Sequence, residues 1–187
     1  MSVWELYFDT DAFRPILPVD DKDWRVLRHL DLIDWQSQLW KSIAVKIAEN
    51  GEHDENGIAY PERVIGDFFT LPAYLPVLTD RTRAILHPLI DEQVDLFPLE
   101  CPSMKLWIAN PKVTVDCYNE ALSSFQKLAP HVYMGVEWLI FEEGCLEGLD
   151  IFKIPPFGTS MVIVSERFKQ LVEANNLTGV EFRKVSE

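Results

Sequence analysis

An α+β (mixed α/β) fold, a single domain built on a mixed sheet, is predicted by three observations in this 187-residue chain. Two distant stretches repeat one strand–helix–strand pattern, alternating apolar segments recur elsewhere, and a hydrophobic fraction of 48% is enough to fill a core. The first repeat runs from Leu75 to Leu86 and resumes from Val94 to Leu99; the second runs from Met161 to Val172 and resumes from Val180 to Val185. Each has a short apolar run, then Thr or Ser before an acid, then apolar residues at helical spacing, then alternation. Thr79 and Ser165 are good N-caps, because a hydroxyl oxygen accepts from an otherwise orphan N–H, and Asp80 and Glu166 suit the positive end of a helix. The cap precedes the next strand by the same interval in both, Thr79 to Val94 and Ser165 to Val180. Neither unit carries a catalytic motif, so the repeat reads as a scaffold.

In chain order, Val3–Phe8 reads as a first strand, and Pro15 and Pro18 mark irregular chain after it. Between Trp24 and Ala48 the residues Leu27, Leu30, Ile33, Leu39, Ile43 and Ile47 are loosely helical, although Asp31–Asp34 could equally hold a short strand. Glu49–Gly57 is an acidic surface loop and the best boundary in the chain. Within the first unit, Pro88 should bend or end the helix, since it removes a donor and crowds the preceding turn. Lys105–Ala109 is a strand closed by an Asn110–Pro111 turn; Asp116 is an N-cap for a helix with Ala121, Leu122 and Phe125 inward. Val136–Phe141 is another strand, Glu142–Gly148 an acidic turn, and Ile151–Ile154 leads through the rigid loop Pro155–Gly158 into the second unit.

The formal charge is −13, from 30 acidic and 17 basic residues, with a pI near 4.7. That balance disfavours nucleic acid and anionic membranes as ligands and favours a basic partner, although solubility alone accounts for it equally well. Cys101, Cys117 and Cys145 are odd in number with no CxxC spacing, which reads as reduced thiols in a cytoplasmic protein. No signal peptide is visible at the amino terminus, and no apolar run is long enough to span a bilayer.

No catalytic constellation emerges. GxSxG, Walker, dinucleotide and HExxH patterns are absent, and His29, His53, His87 and His131 lack neighbours at metal-ligand spacing. His53 among Glu52, Asp54 and Glu55 could bind a cation weakly, but a solvated acidic loop is the simpler reading. A Cys117–His131 nucleophile pair has nothing to prefer it over buried structural residues. The expectation is a non-enzyme with no cofactor and no metal.

The stretches Ile151–Ile154, Val162–Lys169 and Asn175–Phe182 resemble bacterial immunity protein family eleven, as do Leu75–Leu99, Trp107–Asn110 and Val113–Asp116. The resemblance runs from about Gly66 onward. It divides the chain into residues 1–57, an amino-terminal extension or subdomain, and residues 58–187, the family-like region, within one immunity-protein-like domain 1–187. It implies a protein of polymorphic toxin systems that binds a cognate secreted toxin and blocks it, and it carries over no functional residue.

A basic toxin such as a nuclease needs a surface for phosphates, which an acidic protein could occupy in their place. The toxin-binding candidates are therefore the acids of the exposed turns: Asp20, Asp21 and Asp23; Glu49, Glu52, Asp54 and Glu55; Glu142 and Glu143. Solvation alone is the plainer explanation of each. Two other classes stay open: a small enzyme reversing a toxin's modification, and an adaptor taking a peptide at a sheet edge. Oligomeric state has no signature in the sequence.

Overall fold

The computed structural model describes residues 2–27, 40–51, 62–71, 75–129, 132–155, 157 and 160–187. Its elements are β1 (Val3–Phe8), β2 (Ile16–Pro18), α1 (Asp23–Leu27), β3 (Ile43–Ile47), β4 (Phe68–Thr70), β5 (Pro76–Thr79), α2 (Asp80–Ile90), β6 (Val94–Glu100), β7 (Leu106–Pro111), β8 (Ser124–Ala129), β9 (Val132–Trp138), β10 (Ile151–Lys153), β11 (Val162–Ser165), α3 (Glu166–Ala174) and β12 (Val180–Ser186). The strands form a sheet ordered β10-β11-β1-β12, a second ordered β2-β3-β6-β7-β5-β4, and the β8–β9 hairpin. The parallel pair β3–β6 makes the larger sheet mixed, as the α+β reading expects.

The sequence repeat is a structural duplication. In each unit the two strands flanking the helix are not neighbours; one antiparallel strand lies between them, β7 between β5 and β6, and β1 between β11 and β12. A further antiparallel strand borders each unit, β4 against β5 and β10 against β11. The order β4-β5-β7-β6 thus matches β10-β11-β1-β12. In the first half the inserted strand follows β6 through a turn at residues 101–105. In the second half it comes from the other end of the chain, where Val3 lies opposite Ser186. The duplication is therefore circular, with the termini standing where the other half has a turn.

Side chains repeat with the strands. Thr79 and Ser165 cap their helices, accepting from the N–H of Thr82 and Phe168 at 3.2 Å in both cases. Their own N–H groups donate to the carbonyls of Asp67 (3.2 Å) and Asp150 (3.0 Å). Each of those aspartates holds the arginine at the helix's second position, Arg81 at 2.8 Å and Arg167 at 2.6 Å. The acid at the first position accepts from a tryptophan of the inserted strand, Trp107 to Asp80 at 2.9 Å and Trp4 to Glu166 at 2.7 Å. The cation at the fourth position covers that same ring, Arg83 at 4.1 Å and Lys169 at 4.8 Å.

The halves also clasp each other reciprocally. The N–H groups of Asp67 and Phe68 donate to the Thr178 carbonyl, and those of Asp150 and Ile151 donate to the Gln93 side chain. Gly179 is required at this contact: its φ is +97°, and a Cβ would lie 2.4 Å from the Phe68 carbonyl oxygen. One core lies between the helices and both sheets, with Phe68, Leu78, Leu86, Ile108, Val164 and Phe168 fully buried. A second lies on the other face of the four-stranded sheet, where Val3, Phe152, Ile163 and Val185 meet Val136, Leu139 and Leu146.

Because Val3 and Ser186 are paired, a chain joined from Glu187 to Ser2 by a short linker and opened between Pro102 and Ser103 is expected to keep the fold. Its circular dichroism spectrum and cooperative melt should match the parent. A non-cooperative chain would contradict the circular duplication.

The structure corrects several expectations. Ile43–Ile47 is a strand rather than a helix face, because its β-branched residues pair with both β2 and β6. The segment between Pro15 and Pro18 is not wholly irregular; it forms β2, an edge strand, where a missing N–H is tolerated. Pro88 neither ends nor breaks α2, which continues to Ile90, since it falls in the exposed last turn. Asn110 and Pro111 extend β7 instead of turning. No helix follows Asp116: Asn119 accepts from the N–H groups of Ala121 and Leu122 through its side chain, which makes a turn, and Leu122 is 67% exposed. The Asp31–Asp34 reading lies outside the described residues.

Candidate interaction surface

Two insertions interrupt the duplicated frame, residues 9–66 after β1 and residues 112–149 after β7. Every acid predicted to face a toxin lies on one of them. Asp20 and Asp21 are exposed in the turn before α1, and Asp23 opens that helix. Asp20 is met locally, accepting from the Lys22 N–H at 3.0 Å and pairing with its Nζ at 2.6 Å, contacts that hold its carboxyl below the usual range. Glu49 is exposed at the opposite end of the β2–β3 ladder, beyond the bond from Ala48 N–H to the Pro15 carbonyl. Glu142 and Glu143 are exposed in the turn between β9 and β10, where the Glu142 N–H donates to the Cys117 carbonyl. Glu52, Asp54 and Glu55 lie outside the described residues. The described acids thus occupy three separate turns.

The cysteines depart from expectation. Cys117 and Cys145 form a disulfide across a sequence separation of 28, with Cα atoms 6.2 Å apart, and Cys101 is free. The fold brings together two turns whose proximity no spacing rule could reveal. Among the described residues no group of three or more His, Cys, Asp or Glu is placed to hold a metal. Nor is any described helix long and apolar enough to cross a membrane.

Sequence reasoning missed an apolar surface. Leu128 is 75% exposed and Met134 65%, both on the β8–β9 hairpin, whose opposite side is anchored by Phe125 and Tyr133 against Phe157. The hairpin meets β1 across a groove of about 390 Å³ lined by Tyr7, Phe8, Tyr133, Met134, Phe157 and Met161, with Glu5 also in the lining. Glu5 and Tyr7 share one face of β1 with their cross-strand partners Arg183 and Glu181. Arg183 donates to Oε2 of Glu5 through Nε at 2.9 Å and through Nη2; among the described residues no hydrogen bond reaches Oε1. Period two puts Glu5 and Tyr7 on one face of β1, but which face lies open depends on the β8–β9 hairpin, whose first strand begins where the spacing of Ala121, Leu122 and Phe125 suggests a helix.

Burial pushes the Glu5 carboxyl above its usual range, against the lowering effect of Arg183. The folded chain then takes up a proton at higher pH than the unfolded chain, so the contribution of Glu5 to stability is greatest at acid pH and falls as pH rises through the raised value. Glu5→Gln should therefore gain stability relative to the parent between pH 4 and pH 7, read by urea denaturation at both. A relative loss would contradict the sign.

A duplicated frame bearing two dissimilar insertions, acidic at their turns and apolar along one hairpin, has the plan of a scaffold for protein contact. Residues 100–187 match the model of an immunity protein family, Imm11. The resemblance read from the sequence therefore stands over β7, the second insertion and the second repeat unit; residues 66–99 lie outside the match. The match points to toxin neutralisation, with a toxin as partner. No curated protein matches the chain.

Proposed function

We propose that the whole chain acts as one immunity protein, neutralising a cognate secreted toxin in the cytoplasm by direct one-to-one contact and without chemistry of its own. One observation carries this reading: the candidate acids and nearly all the large exposed apolar side chains among the described residues sit on the two insertions, while the repeated parts supply most of the main core. Tyr7 is the exception, and it borders the second insertion. A charge of −13 favours a basic target surface, such as the phosphate-binding face of a nuclease. The acidic turns speed encounter, and apolar contacts set the lifetime of the complex.

Co-expression with the toxin encoded beside its gene is expected to rescue growth, and the complex to be recovered at low salt. Continued killing with no complex would overturn the reading. Replacing Asp21, Glu142 and Glu143 by Asn or Gln should slow association and flatten its salt dependence while leaving dissociation nearly unchanged.

A further inference from the structure

The duplication supplies an internal control for β1. Its counterpart is β7: Thr79 lies opposite Leu106 as Ser165 lies opposite Val3, and Val77 opposite Ile108 as Ile163 lies opposite Glu5. Glu5 therefore stands where the other half has fully buried Ile108, and Tyr7, half exposed, where it has buried Asn110. Ile108 shows that the frame itself needs no ionisable group at that place. Both departures fall in the one groove, beside the β8–β9 hairpin, which has no counterpart in the first half among the described residues.

We propose that this groove is the anchoring site for the toxin, and that it takes a lysine or arginine side chain from a basic segment. The inference rests on the toxin-neutralising reading and deepens it. The aliphatic stem of such a side chain lies against Tyr7 and Met134, with its cationic head on Oε1 of Glu5, the oxygen that Arg183 leaves open. Exposed Glu181, opposite Tyr7, adds charge of the same sign at the rim. A basic occupant also answers the overall charge of −13.

The test measures binding of the purified neighbouring toxin to the parent and to Glu5→Gln, Tyr7→Ala and Met134→Asp, each first shown to melt cooperatively. Met134 is 65% exposed, so its substitution leaves the core intact. Met134→Asp and Tyr7→Ala are expected to weaken binding about 30-fold or more, through faster dissociation, and Glu5→Gln about tenfold. If the parent binds and all three variants bind within twofold of it, the groove is not the anchor, although the neutralising reading survives. If the parent itself does not bind, both fall. A parent that dimerises through this face, with Met134→Asp monomeric and toxin binding unchanged, would assign the groove to a second copy and overturn the inference.

Discussion

Phe168→Ala is expected to remove about 4 kcal/mol of folding stability. The ring is 1% exposed in the main core, meets Phe182 edge-on at 6.5 Å, and belongs to the first turn of α3, where its N–H is already capped by Ser165. Removing it opens a cavity between the helix and its sheet that neighbours on two different elements cannot close together. The counterpart in α2 is Thr82, fully buried, whose hydroxyl donates to the Asp67 carbonyl at 2.9 Å. The first half fastens its helix there by a hydrogen bond, and the second by apolar volume. Thr82→Ala should therefore cost only about 1 kcal/mol, chiefly the lost hydrogen bond, because the Asp67 carbonyl keeps the Thr79 N–H. Urea denaturation of the two variants checks the contrast; equal losses would contradict it.

Arg167→Ala is expected to cost about 3 kcal/mol at neutral pH, discounted from the upper range for buried pairs because the guanidinium is 61% exposed. Its partner Asp150 is only 2% exposed, and once the arginine is gone its carboxylate keeps the Ser165 hydroxyl but no cation. Arg81→Ala removes the equivalent arginine, yet Asp67 is 17% exposed and retains the N–H and hydroxyl of Thr178, both at 3.1 Å. Its loss should stay near 1 kcal/mol. Urea denaturation at pH 7 reads both losses, and a larger one for Arg81→Ala would contradict the ranking.

The duplicated frame was legible because its signals are local. A hydroxyl before an acid, followed by apolar residues at helical spacing, marks a capped helix whatever surrounds it, and both Thr79 and Ser165 cap as read. What local signals could not give was the central strand of each half. Trp4 and Trp107 answer Glu166 and Asp80 across the fold, and only the sheet order discloses that they are the same residue twice. The second insertion misled for a related reason. The spacing of Ala121, Leu122 and Phe125 suits a helix face, but Asn119 diverts the chain into a turn and Phe125 packs in an aromatic cluster with Tyr133 and Phe157. The acidic candidates were found as exposed charges. The groove was not, because it is bounded by β1 at one end of the chain and by a hairpin in its middle.

The measurement that bears most directly on the central claim is a titration of the neighbouring toxin's activity with the purified protein. Action by occupancy predicts a loss of activity proportional to the amount added, ending sharply at one equivalent and insensitive to incubation time. Complete protection by a small fraction of an equivalent, growing with time, would show turnover and contradict the account.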